Sequence, residues 1–176
     1  MPRRTAKVEN HRPVVWVTGA SRGIGAEIAK EFASIGCHVC LSARNKRELS
    51  SVVKTIIQRG GTAYSFPCDI AHPHSISQTA QRIRGQVGNI DVLVNNAGIT
   101  VFKSFISTTP KEFEDILDAN LYGHILCTKA VLPSMIKSKQ GWIFNIVSNA
   151  AIKTFEGSAA YTATKAGMLG VGKVLR

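Results

Sequence analysis

The stretch TGASRGIG at residues 18–25 decides the fold, because three glycines join a short apolar run to a helical pattern. Gly19 allows a tight turn after the apolar run, and Gly23 and Gly25 let the backbone approach a ligand closely at a helix start. The free N–H groups and positive dipole end of that helix suit a pyrophosphate. The turn therefore predicts a dinucleotide site formed by Gly19, Ser21, Arg22, Gly23, Ile24 and Gly25. A glycine-rich turn without a ligand is the alternative, which Ser21 and Arg22 beside the glycines make less favoured.

Strand-length apolar runs and longer helical segments alternate along the rest of the chain. PVVWVTG precedes IGAEIAKEFASIG, HVCLSA precedes KRELSSVVKTIIQRG, TAYSFP precedes HSISQTAQRIRGQV, IDVLVNN precedes a helical stretch through 111–138, and WIFNIVS precedes the segment with Tyr161. Strands that are apolar on both faces belong to a parallel sheet covered on both sides. Right-handed crossovers then give a doubly wound α/β fold, for which we predict strand order 3-2-1-4-5.

The boundaries of this fold follow from the same pattern. Strands are expected to start near Pro13, His38, Thr62, Asp91 and Trp142, and helix C-caps at Gly36, Gly60 and Gly61. Residues 1–12 are expected to be a flexible basic tail, and residues 13–176 one Rossmann-like dinucleotide-binding domain.

Composition limits the classes of function. The 176 residues carry a net charge of +11, and 44% of them are hydrophobic. No run reaches the roughly 18 to 20 apolar residues of a membrane helix, and the N-terminus lacks the apolar segment of a secretory signal. We therefore expect a cytoplasmic protein without a membrane partner. The basic residues are spread along the chain, which disfavours nucleic acid and suits a charged cofactor or an acidic carrier protein.

Cysteines and histidines give no metal or disulfide pattern. Cys37 and Cys40 form a C-x-x-C, but the odd spacing within a predicted strand sends the two side chains to opposite faces. The five histidines have no ligand spacing. The sequence predicts buried thiols and no metal.

The end of the second predicted strand indicates which dinucleotide is bound. An acid about 20 residues past the glycines would hold the ribose 2′-hydroxyl of NAD, whereas an arginine accommodates the 2′-phosphate of NADP. This chain has Arg44 there, and its first acid, Glu48, lies in the next helix. Arg44, with Arg22 in the glycine turn, predicts NADP(H). An arginine that only solvates the strand end is the alternative.

Tyr161 and Lys165 lie four residues apart in a predicted helix and therefore on one face. An ammonium near a phenol favours the phenolate, which makes the phenol a usable acid and base. Tyr161 is thus a candidate to give a proton to a carbonyl oxygen as hydride reaches the carbon. A solvated helix face could carry the same pair, so the spacing alone is weak.

Further motifs accompany the pair. NNAG stands at 95–98, Asn120 lies in ANLYG, Ser148 in NIVS stands thirteen residues before Tyr161, and Asp69 and Ile70 lie in CDI. With TGASRGIG, these elements make the chain from residue 14 onward resemble the short-chain dehydrogenase/reductase family, most of all its 3-oxoacyl-carrier-protein reductase type.

The resemblance implies a role for each matching residue. Ser148 would orient the substrate carbonyl, Tyr161 would be the acid and base, and Asn120 would anchor a water that connects Lys165 to solvent. Lys165 would also hold the nicotinamide ribose, so Tyr161 and Lys165 belong to the implied cofactor site as well. Asp69 and Ile70 would contact the adenine, and Asn96, Ala97 and Gly98 would line a cofactor ribose.

The resemblance also implies an activity and a departure. The implied activity is NADP-dependent reduction of a ketone or 3-oxoacyl thioester to a secondary alcohol, with a place in fatty acid biosynthesis, by a homo-oligomer (dimer or tetramer) in the full-length form. Family members usually continue into two more strands and a loop over the substrate, which this chain lacks. We therefore expect a C-terminally truncated chain with little turnover; the alternative function is a catalytically inactive nucleotide-binding fragment.

Overall fold

Strands and helices alternate throughout the computed structural model, which describes residues 11–153 and 155–175. The strands are β1 (Val14–Thr18), β2 (His38–Ser42), β3 (Thr62–Ser65), β4 (Val92–Asn95) and β5 (Trp142–Asn145). The helices are α1 (Gly23–Ser34), α2 (Lys46–Gln58), α3 (Pro73–Gln86), α4 (Pro110–Leu117), α5 (Gly123–Ser138) and α6 (Ala159–Val174). The flexible tail predicted for residues 1–12 lies outside the described residues up to position 10.

The five strands form one parallel sheet in the order β3-β2-β1-β4-β5. Both the predicted order and the predicted strand starts are confirmed, the starts to within one residue. Central strand β1 is buried along its whole length, as the apolar run on both faces predicted. The order changes direction between β1 and β4, which creates the crevice where doubly wound sheets bind their ligands.

Two apolar layers cover the two faces of the sheet. Trp16 and Leu93 pack on one face with side chains of α3 and α5, whereas Val17 and Leu41 pack on the other face with side chains of α1 and α2. Cys40 belongs to the first layer and Cys37 to the second, so the C-x-x-C points to opposite faces as predicted. Both thiols are free and buried, and burial raises the pKa of Cys40 to about 12.

Helices α1 and α2 end at glycines, as predicted. Gly36 and Gly60 have φ of +87° and +82°, values that glycine adopts without strain. The N–H of Gly60 donates to the Ile57 carbonyl, and the N–H of Gly61 donates to the Ile56 carbonyl. This pair of hydrogen bonds is the Schellman pattern that closes a helix end. Gly61 therefore completes the helix end without a positive φ.

The helical stretch predicted through 111–138 is divided by one wide turn. A π-helical turn covers Asp118–Tyr122 between α4 and α5. The apolar period of the sequence does not reveal this turn, because a single extra residue shifts the period only slightly. Such turns are frequent at functional sites, and this one contains Asn120.

Candidate active site

A cleft of about 730 Å³ lies at the carboxyl ends of the central strands. All the residues that the sequence assigned to cofactor binding, apart from Tyr161 and Lys165, line it: Gly19, Ser21, Arg22, Gly23, Ile24, Gly25, Arg44, Asp69, Ile70, Asn96, Ala97 and Gly98. The structure thus brings together four segments that are separate in the chain. The volume of the cleft falls within the usual range for ligand and cofactor sites.

The glycine turn packs directly against the segment after β4. Gly19 has a φ of +64°, and a Cβ added there would lie 2.6 Å from the Ala97 Cα. A Cβ on Gly25 would overlap the Asn96 amide and the Gly19 carbonyl oxygen. The Asn96 amide donates to the carbonyl oxygens of Thr18 (2.9 Å) and Gly19 (3.2 Å). Only glycine fits at positions 19 and 25. The hydrogen bonds from Asn96 and these close backbone contacts hold the turn in one conformation.

The cleft contains two arginines at the starts of α1 and α2. Arg22 and Arg44 line it, and within residues 11–153 and 155–175 neither guanidinium forms a salt bridge to a carboxylate. Asn45 caps α2 by accepting from the N–H groups of Arg47 (3.1 Å) and Glu48 (3.2 Å). Two guanidinium groups without carboxylate partners beside the starts of α1 and α2 fit an anionic nucleotide with an additional phosphate.

Residues that sequence reasoning missed also line the cleft. Asn45 and His72 are among them, with Cys68 and Glu48. Asn45 could have been found, because it follows Arg44 directly and stands at the predicted helix start. His72 gave no such signal, since its position depends on the loop after β3.

Lys165 is buried on α6, outside the lining of the cleft. Its ammonium is 5.5 Å from the ring centre of Tyr161, and it donates a 2.8 Å hydrogen bond to the backbone carbonyl of Ile146. Lys165 is only 4% exposed, and burial lowers its pKa from the ordinary value of 10.5. The Lys165 ammonium therefore lies beside the Tyr161 ring, and its action on the Tyr161 hydroxyl stays a prediction.

Asn120 connects three parts of the site. Its side-chain oxygen accepts from the Ile99 N–H (2.8 Å), and its side-chain amide donates to the Ile99 carbonyl (2.7 Å). The same amide reaches the Thr164 hydroxyl at 3.5 Å. A Cβ on Gly98 would lie 3.3 Å from the Asn120 oxygen. Asn120 therefore ties the segment after β4 to α6, one residue before Lys165.

Ser148 lies three residues after β5, where it starts a 3₁₀ turn at Asn149–Ala151. Its hydroxyl accepts from the Ala150 N–H at 3.1 Å and donates to the Asn149 side chain at 3.2 Å. The turn packs against α6, the helix with Tyr161 and Lys165. All four predicted catalytic residues thus lie on elements that meet at one edge of the sheet.

One buried polar residue near this edge was not singled out from the sequence. His124 on α5 is 1% exposed, and its pKa is lowered to about 3 by burial first and by the charge of Lys165 second. Sequence reasoning considered the histidines only as metal ligands. In the described part of the chain, no cluster of three or more potential metal ligands occurs. Nor does any described helix have the length and apolarity to cross a bilayer.

Comparison with curated proteins identifies relatives across most of the chain. A fatty acyl-CoA reductase of Acinetobacter baylyi is 38% identical over 157 residues, which cover 88% of this chain and 53% of the relative. A 3-oxoacyl-[acyl-carrier-protein] reductase of Staphylococcus epidermidis is 36% identical, with 89% and 65% covered. One of Synechocystis is 39% identical, with 92% and 66% covered. The chain spans about half to two thirds of the length of these relatives.

Solved structures show the same fold. A metagenomic short-chain oxidoreductase in complex with NADP superposes with a TM-score of 0.90 at 40% identity, over 93% of this chain and 74% of that one. A short-chain alcohol dehydrogenase from Sinorhizobium meliloti 1021 superposes with a TM-score of 0.89 at 30% identity, over 93% and 65%. The family model described as short chain dehydrogenase matches residues 13–176, from the start of the sheet through the helix of Tyr161 and Lys165. The chain therefore belongs to the short-chain dehydrogenase family.

Proposed function

We propose that this chain forms the cofactor-binding and acid–base part of an NADP-dependent oxidoreductase that reduces a carbonyl to a secondary alcohol. The observation that supports it most is the buried Lys165 ammonium, 5.5 Å from the centre of the Tyr161 ring. A cation that is kept in a poorly solvated position beside a phenol is costly for folding but useful for proton transfer.

Tyr161 is the proton donor in this proposal. Bound NADPH supplies the hydride. The Tyr161 hydroxyl gives its proton to the carbonyl oxygen, and the Lys165 ammonium stabilises the phenolate that remains. The 2.8 Å hydrogen bond from Lys165 to the Ile146 carbonyl fixes the ammonium in place. In the reverse direction the phenolate takes the proton from the alcohol.

Ser148 and Asn120 have supporting roles in the proposal. The Ser148 hydroxyl donates a hydrogen bond to the Asn149 side chain. In the proposal, the hydroxyl exchanges this acceptor for the carbonyl oxygen of the substrate. Asn120 forms two hydrogen bonds with the Ile99 backbone and reaches Thr164 on α6. We propose that these contacts fix the position of α6 relative to the cleft. It would also anchor a water on the way from Lys165 to solvent.

The cofactor preference in the proposal is NADP(H) over NAD(H). Arg22 and Arg44 would bind the 2′-phosphate, and the start of α1 would bind the pyrophosphate. Asn96, Ala97 and Gly98 would line a ribose, and Asp69 and Ile70 would contact the adenine. The relative solved with NADP, 40% identical to this chain, supports the choice.

For the substrate we propose a ketone or a 3-oxoacyl thioester. Relatives named for fatty acyl-CoA and for 3-oxoacyl-[acyl-carrier-protein] support an acyl thioester, and hence a place in fatty acid metabolism. The net charge of +11 would favour an acidic carrier. We further propose a homo-oligomer, because large apolar side chains such as Ile106 (94% exposed) and Trp142 (63% exposed) lie on the surface. The proposed location is the cytoplasm, as the sequence predicts.

Two measurements test the proposal. Fluorescence titration with NADPH and with NADH should show tighter binding of NADPH. A panel of simple ketones and 3-oxoacyl thioesters is then assayed by NADPH oxidation in a chain extended to the full length of its relatives, and reduction of at least one class to the alcohol is expected. Absence of NADPH binding, or equal affinity for both cofactors, would contradict the proposed cofactor; binding without reduction of any carbonyl would favour the nucleotide-binding fragment.

A further inference from the structure

Two buried polar atoms lie near the candidate site without a hydrogen-bond partner among the described residues. They are the side-chain oxygen of Asn95 and Nε2 of His124. Asn95 and His124 are 0% and 1% exposed. A buried polar atom without a partner destabilises the folded state, so native folds usually satisfy such atoms.

The two atoms belong to the same small region. The Asn95 amide donates to the Thr128 hydroxyl at 3.1 Å. Thr128 stands one helical turn after His124 on α5, and residues four apart on a helix lie about 5 to 6 Å from each other on one face. His124 also lies close enough to the Asn120 and Ala97 backbone for these groups to raise its pKa, against the larger effect of burial. The end of β4, the π-helical turn and α5 therefore meet at the imidazole.

Rearranging the amide does not remove the problem. The Asn95 amide nitrogen already donates to Thr128 and, at 2.9 Å, to the side-chain oxygen of Asn145. Exchanging its oxygen and nitrogen would put the unsatisfied donor where the unsatisfied acceptor now is. A third group is needed that can donate to the Asn95 oxygen and pair with a neutral imidazole.

We propose that one buried water bridges His124 Nε2 and the Asn95 side-chain oxygen, and that His124 is thereby a positioning residue for the nicotinamide end of the site. A water can donate to the amide oxygen and either donate to or accept from Nε2, whichever tautomer is present. The bridge joins α5 to the end of β4, which leads into Asn96 and Ala97. The effect on cofactor binding rests on the proposed function, whereas the water bridge does not.

The role requires a neutral imidazole. Lys165 of α6 is the charged group that acts on the ring, and its charge and the burial of the ring both hold the His124 pKa low, at about 3. A protonated ring would be both buried and close to a like charge. His124 therefore stays neutral at physiological pH and acts through its hydrogen bonds.

A structure at a resolution that shows ordered water tests the bridge directly. Electron density is expected within about 2.6 to 3.2 Å of both His124 Nε2 and the Asn95 oxygen. A direct contact between the two side chains, or no density between them, overturns the proposal. This test needs no cofactor, so it stands if the protein proves not to bind NADPH, in which case the proposed function alone fails.

Three variants test the positioning role. H124L removes the polar atom, H124Q keeps a polar group at a similar reach, and H74L is a control at an exposed histidine of α3 outside the cleft. NADPH affinity should fall about fivefold in H124L, the equivalent of one lost hydrogen bond, and stay within about twofold of wild type in H124Q and H74L. Equal affinity in H124L and H124Q overturns the role. If H124L does not fold, a loss of affinity in H124Q overturns it equally.

Discussion

At the scale of single residues, Lys165 combines a cost for folding with a use for chemistry. Its ammonium is buried, and within the described residues it forms no salt bridge; it donates a hydrogen bond to the Ile146 carbonyl. Removing an ion from water is not compensated by one neutral acceptor. The position is explained if the charge serves Tyr161 and the cofactor, which would make stability and activity oppose each other here.

The phenol of Tyr161 is expected to matter for turnover and not for cofactor binding. In a chain extended to the full length of its relatives, Tyr161→Phe should lower NADPH-dependent carbonyl reduction by at least about 100-fold, because it removes a proton donor that acts in the transition state. The NADPH dissociation constant should change by less than about twofold. Steady-state rates and fluorescence titration measure the two effects. Tyr64→Phe on β3 is the matched control, and full activity of Tyr161→Phe would refute the mechanism.

Lys165 should make stability depend on pH in a defined direction. Burial lowers its pKa from 10.5, so between the lowered value and 10.5 the unfolded chain binds more protons than the folded chain. Its contribution to stability therefore rises with pH through that interval. Lys165→Met should be more stable than wild type at about pH 6, and the advantage should shrink towards pH 10. Urea denaturation measures it, with the exposed Lys129→Met as control; an advantage that grows with pH would contradict the assignment.

Arg44 should set the cofactor preference. Arg44→Asp replaces a donor to the 2′-phosphate with a repelling carboxylate that suits a ribose 2′-hydroxyl. A charge-assisted contact contributes about 1.5 to 3 kcal/mol, so NADPH should bind at least about tenfold more weakly while NADH binds equally or better. Competitive titration of both cofactors measures the change. Arg59→Asp, at the other end of α2, is the control, and an unchanged preference in Arg44→Asp would rule out the 2′-phosphate contact.

At the scale of elements, close backbone contacts hold the site together. The π-helical turn at Asp118–Tyr122 leads into Gly123, where an added Cβ would overlap the backbone oxygen of Ile70. The turn and the first residue of α5 are thus pressed against the loop after β3. This contact places Asn120 where its amide reaches Ile99.

Gly123→Ala and Gly170→Ala should therefore have opposite effects on stability. At Gly123 the methyl group meets rigid backbone, and we expect a loss of about 2 kcal/mol or more in the free energy of unfolding. Gly170 lies on α6 with no atom within 4 Å of an added Cβ, so alanine should gain up to about 1 kcal/mol from helix propensity. Thermal or urea unfolding measures both. Similar effects at the two sites would show that backbone contact does not explain Gly123.

At the scale of the whole molecule, the basic residues are spread along the chain, whereas exposed apolar side chains include a pair on one strand. The net charge is +11, and the pair consists of Trp142 and Phe144 on the edge strand β5. Spread charge raises the potential of the whole surface, which attracts small anions and acidic proteins. Contiguous apolar surface favours contact with another protein surface.

The spread charge should give only weak binding to DNA. Retention on double-stranded DNA is expected at about 0.05 M salt and should be lost by about 0.2 M, because non-specific phosphate contacts release counterions and weaken steeply with salt. NADPH affinity should fall less over the same range, since few charges are involved. Filter binding at several salt concentrations measures the first, and fluorescence titration the second. Retention that survives 0.2 M salt would show a nucleic-acid surface.

The sequence by itself determined the order of the strands, the glycine turn and the identity of the segments in the cleft. These features depend on local physics: the period of apolar residues, the φ that glycine permits, and the rule that parallel strands gather their carboxyl ends at one edge. Gly19 and Arg44 could be assigned to one site for this reason, before any distance was known, whereas Asn96 was assigned to it by the resemblance to the family.

Only the tertiary structure decided how deeply each group is buried and what it touches. The π-helical turn at Asn120, the contact of Gly123 with Ile70 and the partnerless Nε2 of His124 all depend on residues far apart in the chain. Periodicity cannot show them, because it identifies which face of a helix is apolar and not which neighbour packs there. The low pKa of His124 has the same origin, since burial and the charge of Lys165 reach it from different elements.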